Sequence, residues 1–159
     1  MGRDEGIVGT WKLISASITT QAGESRPMLG EDPTGILTYT SDGRMTVILA
    51  SGGRPPLSIE DSVAAPAMER AEAFSTFSAY AGRYTFEGDR ITHHIEIAWY
   101  QNWVGTDQIR FVEQQGNRLS LNAPSLSIGG QQVAAEILWE RINECRTRRA
   151  IEPPRLPTL

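Results

Sequence analysis

Apolar and polar residues alternate along most of this chain, and residues that favour tight turns cut the alternation at short intervals. Residues 35–40 (GILTYT) and 44–50 (RMTVILA) flank Ser41-Asp42-Gly43. Residues 83–87 and 90–100 flank Glu87-Gly88-Asp89, and residues 104–114 and 118–123 flank Gln115-Gly116-Asn117. A last segment, 132–142 (QVAAEILWERI), follows Gly129-Gly130. Side chains point to alternate faces of a strand, so this pattern describes strands with one packed face. Strands joined by turns this tight run antiparallel. With residues 9–18 (GTWKLISASI) as a first strand, the count reaches about eight. No long crossovers separate the segments, which argues against a doubly wound parallel sheet. Closing such a sheet on itself removes its exposed edges. The expected fold class is therefore all-β with one helical insertion: an antiparallel sheet of about eight strands closed into a barrel.

The insertion is residues 58–81 (SIEDSVAAPAMERAEAFSTFSAYA), whose composition is helical. Ser58 is placed to cap a first helix, with Glu60 and Asp61 in its first turn. Pro66 would open a second helix. Met68, Ala71, Phe74 and Phe77 recur every three residues, and Gly82 would end the run. On a barrel this segment would form a lid across one mouth or pack on the wall. Residues 146–159 (RTRRAIEPPRLPTL) are rich in Arg and Pro and read as an extended or disordered tail. Residues 1–145 then form one domain.

The formal net charge of -4 argues against nucleic acid as a partner, because phosphate contacts need a basic face. The single cysteine, Cys145, permits no internal disulfide and fits a reducing compartment. The N-terminal MGRDEGIVGTW lacks a signal-like apolar run, and Gly6 replaces the Ser or Thr of a myristoylation signal. No segment approaches the roughly 20 apolar residues of a spanning helix. These features lead to an expectation of a cytoplasmic protein with no membrane partner. No GxGxxG, Walker A or GxSxG pattern occurs. Cys145 has no histidine near it in sequence and reads as a bystander thiol. No cofactor is expected.

The chain's two histidines fall in one stretch, THHIEIAWYQNWVGTDQIR, residues 92–110. Adjacent residues on a strand point oppositely, so His93 and His94 cannot form a His-x-His metal pair, and no metal site is expected. Alternation puts His93, Ile95, Ile97 and Trp99 on one face and Thr92, His94, Glu96 and Ala98 on the other. Either face could be the interior, because the inside of a ligand-binding barrel can be polar. On one reading, one histidine is a satisfied core residue, the other is solvated, and Arg110 pairs with a carboxylate. On the other, a histidine, Arg110 and aromatic side chains surround a cavity. A histidine can move a proton near neutral pH, and an arginine can stabilise a developing oxyanion. The candidate catalytic residues are His93, His94 and Arg110. Tyr39, Trp99, Trp103, Gln108, Tyr84 and Met45 are candidate substrate-binding residues. Tyr80 and Tyr100 read as packing residues at a barrel mouth, and Trp139 reads as core.

Several segments resemble lipocalin-like domain proteins. They are GTWKLISA at 9–16, DPTGILTYTSDGRM at 32–45, the run from Gly82 to Ala123, and LWERI at 138–142. Together they span most of residues 7–142. The resemblance implies an up-and-down antiparallel lipocalin-like β-barrel of about eight or more strands, with a helical lid and enclosing a cavity able to hold one small ligand. His93, His94, Trp103, Gly105, Gln108 and Arg110 fall in the most recognisable stretch, which implies that one histidine and Arg110 line the cavity. Where many relatives carry Asn-Pro-x-Trp, this chain has Tyr100-Gln101-Asn102-Trp103, so its loop and ligand need not be theirs. Some related barrels act in secondary metabolism as cyclases, isomerases or lyases without a cofactor. Two functions follow as expectations. One is a cofactor-independent acid/base reaction on a small, mostly apolar metabolite. The other is a carrier that only binds or sequesters such a ligand. A homodimer working through exposed faces is a third arrangement that no residue pattern singles out.

Overall fold

The computed structural model describes residues 6–143. Cys145 and the expected tail at 146–159 lie outside them. Nine strands follow one another: β1 (Gly9–Thr20), β2 (Ser25–Pro27), β3 (Thr34–Tyr39), β4 (Arg44–Ala50), β5 (Phe77–Phe86), β6 (Arg90–Ala98), β7 (Asp107–Gln115), β8 (Arg118–Ile128) and β9 (Gln131–Arg141). One helix, α1 (Ala67–Ser75), lies between β4 and β5, and a single 3-10 turn (Gln101–Trp103) lies between β6 and β7. All pairings are antiparallel. One edge of β1 bonds first to β3 and then to β2, and its other edge bonds along most of its length to β9. That last pairing closes the sheet. Eight strands, β1 and β3 to β9, form the ring, and β2 adds a short segment beside β1. Among the described residues, no helix is long and apolar enough to cross a membrane.

Because neighbours run antiparallel, every second connection lies at the same end. The three tight hairpins at Ser41–Gly43, Glu87–Asp89 and Gly116–Asn117 sit at one end, together with the start of β1 and the finish of β9. The longer connections, which carry β2, α1 and the 3-10 turn, sit at the other, together with the tight β8–β9 turn at Gly129–Gly130. The hairpin end is plugged. Ile7, Trp11, Leu37, Ile91 and Leu119 are fully buried there. Burying an indole such as Trp11 is worth roughly 5 kcal/mol before its entropic cost. The Trp11 Nε1–H donates to the Ile7 carbonyl at 2.9 Å. The Arg141 guanidinium stacks 4.2 Å from the centre of the Trp11 ring. Its two terminal nitrogens donate to the carbonyls of Val8, at 2.6 Å, and Gly6, at 2.5 Å. Gly9 has a φ of +138°, and a Cβ there would lie 2.5 Å from Arg141 Nη1. The N-terminal Gly-x-Trp and the arginine of the final LWERI are thus one structural unit.

The helical segment differs from its sequence expectation. The expected helix over 58–81 is confined to Ala67–Ser75, with Pro66 at its N-cap. Ser58 caps nothing; its N–H and hydroxyl both donate to the Glu69 carboxylate. The period-three pattern ran on into Phe77, but Phe77–Ala81 pair with β4 and are strand. Long-range pairing overrides helical composition there. Gly82 ends no helix. It sits inside β5 at a bulge opposite β6, where a Cβ would lie 1.9 Å from the His94 carbonyl oxygen.

That bulge also changes the faces of β6. The register steps from Gly82–Ile95 to Ala81–Ile97, so the alternation inverts past Ile95. His93 and Ile95 point inward, but Ile97 is 67% exposed while Ala98 packs on the core. The expected single face of His93, Ile95, Ile97 and Trp99 is broken by one extra residue.

Candidate functional site

A cavity of about 420 Å³ occupies the loop end of the barrel. That is within the ordinary range of small-molecule sites. Leu37, Val47, Leu49, Leu121 and Ile137 give it an aliphatic wall from the strands, and Met28 and Leu29 reach in from the β2–β3 connection. Its mouth is aromatic. Trp99 packs edge-on against Trp103 with ring centres 5.2 Å apart, and Phe74 of α1 lies 5.9 Å from Trp99. The loop that follows β6 therefore supplies both tryptophans of the mouth, and α1 supplies Phe74. A wider but open and more polar depression, of about 980 Å³, lies on the surface by Thr20, Glu24, Arg26 and Gln132. It has none of the enclosed apolar surface that retains an organic ligand.

His93 and Arg110 line the inner cavity and are almost wholly buried. Inward parity on β6 and β7 places them, and His93 sits between two tyrosines. The Tyr39 hydroxyl lies 2.7 Å from its Nε2 and the Tyr80 hydroxyl 2.9 Å from its Nδ1. A neutral imidazole has one N–H and one lone pair, so one tyrosine accepts from the ring and the other donates to it. Burial, reinforced by the Arg110 charge and then by His94, lowers the His93 pKa to about 3. The ring is neutral at physiological pH, and both its nitrogens are engaged. Burial also raises both phenols. The rise is well above the ordinary value for Tyr39, while at Tyr80 the adjacent Arg110 opposes it by charge and hydrogen bonding.

Arg110 is 6% exposed, and its Nη1 donates to the Ile109 carbonyl at 2.8 Å. Among the described residues no carboxylate pairs with it. The indole N–H groups of Trp99 and Trp139 are also buried, without an acceptor among the described residues. Both tryptophans line the cavity. The polar inventory of the site is therefore rich in donors, and one of them is a full cation.

The sequence candidates divide by position. Trp99, Trp103, His93 and Arg110 line the cavity. Tyr39 is one hydrogen bond removed, on the hairpin side of His93. Met45 and Tyr84 belong to the hairpin-end core, where the Tyr84 hydroxyl donates to the Thr40 carbonyl at 2.8 Å. Gln108 lies outside the cavity, with its amide 3.5 Å from the Thr106 hydroxyl. His94 is on the outer surface, between Asp107 at 2.7 Å and Thr85 at 2.8 Å. Glu96 is outside too, paired with Arg44 and Arg83. The expectation that Arg110 pairs with a carboxylate fails among the described residues, because β6 keeps its glutamate on the other face. Tyr80 and Trp139, read from sequence as packing residues, line the cavity. Reading β5 as a strand from Phe77 would have given Tyr80 the inward parity of Gly82 and Tyr84. Among the described residues, no group of three or more His, Cys, Asp or Glu side chains is placed to hold a metal ion.

Comparison with known proteins agrees with this architecture. The 4'-hydroxy-3'-methoxypropiophenone carrier protein ppsC of Aspergillus oryzae is 31% identical over 83 residues, covering 46% of this chain and 75% of the relative. Among solved structures, a lipoprotein YedD from Klebsiella pneumoniae aligns over 90% of this chain and 77% of its own. Its identity is 14% and its TM-score 0.40, too slight a likeness to bear on fold or function. The profile of the lipocalin-like domain matches residues 8–142, from the Trp11 plug through β9. The chain belongs to the lipocalin-like domain family.

Proposed function

We propose that this protein binds a small, mostly apolar aromatic molecule in the barrel cavity and carries it unchanged. One observation carries the reading: the cavity wall is aliphatic and aromatic, while the histidine facing it is neutral with both nitrogens held by tyrosines. A general base needs a free lone pair and a pKa near the working pH. His93 has neither, so it acts as a fixed post that orients Tyr80. The name of the Aspergillus oryzae relative, a carrier of an aromatic ketone, supports the same reading.

A second reading keeps the acid/base chemistry of an isomerase, cyclase or lyase. One contact favours it: Tyr80 lines the cavity, touches His93 Nδ1 and lies beside Arg110, so a proton could pass from ligand to phenol to imidazole. Titration with 4'-hydroxy-3'-methoxypropiophenone, followed by tryptophan fluorescence and chemical analysis of the recovered ligand, separates the two. Carriage predicts saturable quenching, unchanged ligand, and an affinity that His93→Gln alters by only a few fold. Recovery of a converted compound, with turnover falling about 10²- to 10⁴-fold in His93→Gln, would establish the enzyme instead.

A further inference from the structure

We infer that the natural ligand carries an oxyanion, a carboxylate or an ionised phenol, and that Arg110 receives it. This rests on the reading of the cavity as a binding site and adds the chemical class of its occupant. A buried cation is costly unless it is paired. The guanidinium of Arg110 lies inside the barrel wall with one backbone carbonyl and one phenol as its contacts, and with no carboxylate pairing it among the described residues. His93 contributes no charge, so the inner cavity is net positive.

The remaining polar groups point to the same occupant. Trp99 and Trp139 each present a buried indole N–H with no acceptor among the described residues. Burying a donor without a partner costs about 1–3 kcal/mol. The cavity thus offers donors from three side chains, and a ligand rich in acceptors satisfies them together. An apolar aromatic frame matches the Trp99, Trp103 and Phe74 rim, and an oxyanion matches Arg110. A basic or donor-rich ligand would leave Arg110 unpaired and set like charges together.

The test compares 2-naphthoate with its neutral isostere 2-naphthamide, by calorimetry on the intact protein at pH 7. The expected result is that the acid binds about 10- to 100-fold more tightly than the amide. Arg110→Gln should abolish that preference. 4-Nitrophenol distinguishes the source of the oxyanion, because its yellow anion reports ionisation directly. Its ionisation on binding, with acid and amide bound equally, would assign a phenolate rather than a carboxylate. Equal binding of acid and amide together with un-ionised nitrophenol would overturn the inference and leave the binding site standing. Failure of all three compounds to bind would overturn the cavity reading and the inference with it. The wild-type comparison decides the matter even if the Arg110 variant does not fold.

Discussion

At the hairpin end of the barrel, Arg141 stacks on Trp11, and the N–H donors of both side chains reach carbonyls of the N-terminal segment. At the loop end, Arg110 has no carboxylate partner among the described residues, and the indole N–H groups of Trp99 and Trp139 have no acceptor. The same two residue types are therefore used in opposite ways. In the plug they answer each other, so their polarity stabilises the fold. Around the cavity Arg110 meets only a backbone carbonyl and a phenol, and the two indoles find no acceptor among the described residues, so their polarity is left for something that enters. Connection length follows much the same division. Three tight turns close the plugged end, and the longer segments, with an α1 that buries none of its side chains, surround the open one beside the tight β8–β9 turn at Gly129–Gly130. Loops carried on a rigid scaffold are where binding residues concentrate.

The largest expected effect concerns His93, which sits at the boundary between the two ends. The unfolded chain takes up its proton near the ordinary value of 6.5, whereas the folded chain does so only at about 3. The unfolded state therefore binds more protons between these values. The contribution is fully present above the unfolded value and is lost as pH falls towards 3. From pH 7 to pH 4 the loss from this group is about 3 kcal/mol. Urea unfolding at the two pH values should show a smaller acid loss in His93→Gln than in wild type, since carboxylates contribute equally to both. Equal losses would place His93 in a hydrated, not a sealed, environment.

Next in size is the plug. Arg141→Met removes the hydrogen bonds to Gly6 and Val8 and should cost about 2 kcal/mol in urea unfolding. A cost near zero would mean that Trp11 is held by packing alone and would weaken the contrast between the ends. The smallest expected effect is at the rim. Phe74 is 47% exposed on a helix that adds little to the core. Phe74→Ala should change stability by less than about 0.5 kcal/mol, as expected of an exposed site, yet quicken ligand release measured by stopped-flow fluorescence. A large loss of stability would instead make α1 part of the fold's core.

Much of the hairpin end was legible in the sequence because its determinants are local. Ser41-Asp42-Gly43, Glu87-Gly88-Asp89 and Gln115-Gly116-Asn117 all mark turns, and a glycine in each supplies the positive φ. β4 falls on residues 44–50 as read. The loop end was less legible because its determinants are long-range. Phe77–Ala81 looked helical until β4 paired with them. The extra residue on β6 turned Ile97 outward in a way that strict alternation cannot foresee. β2 is three exposed residues, Ser25–Pro27, with no pattern to announce it. The sequence narrowed the site to one stretch holding both histidines and Arg110. It could not choose between His93 and His94, since a strand read alone has no inside. Whether Arg110 meets a carboxylate is likewise a property of the closed ring, not of the strand that carries it.

The contrast between the two ends reduces to one comparison of stability. Arg110→Met replaces an uncompensated buried cation with an apolar side chain of similar length. If Arg110 is kept for a ligand, the variant should be as stable as wild type or up to about 2 kcal/mol more stable in urea, while losing its preference for 2-naphthoate over 2-naphthamide. If instead it unfolds as easily as Arg141→Met, then Arg110 holds the barrel together and the cavity's polarity belongs to the fold.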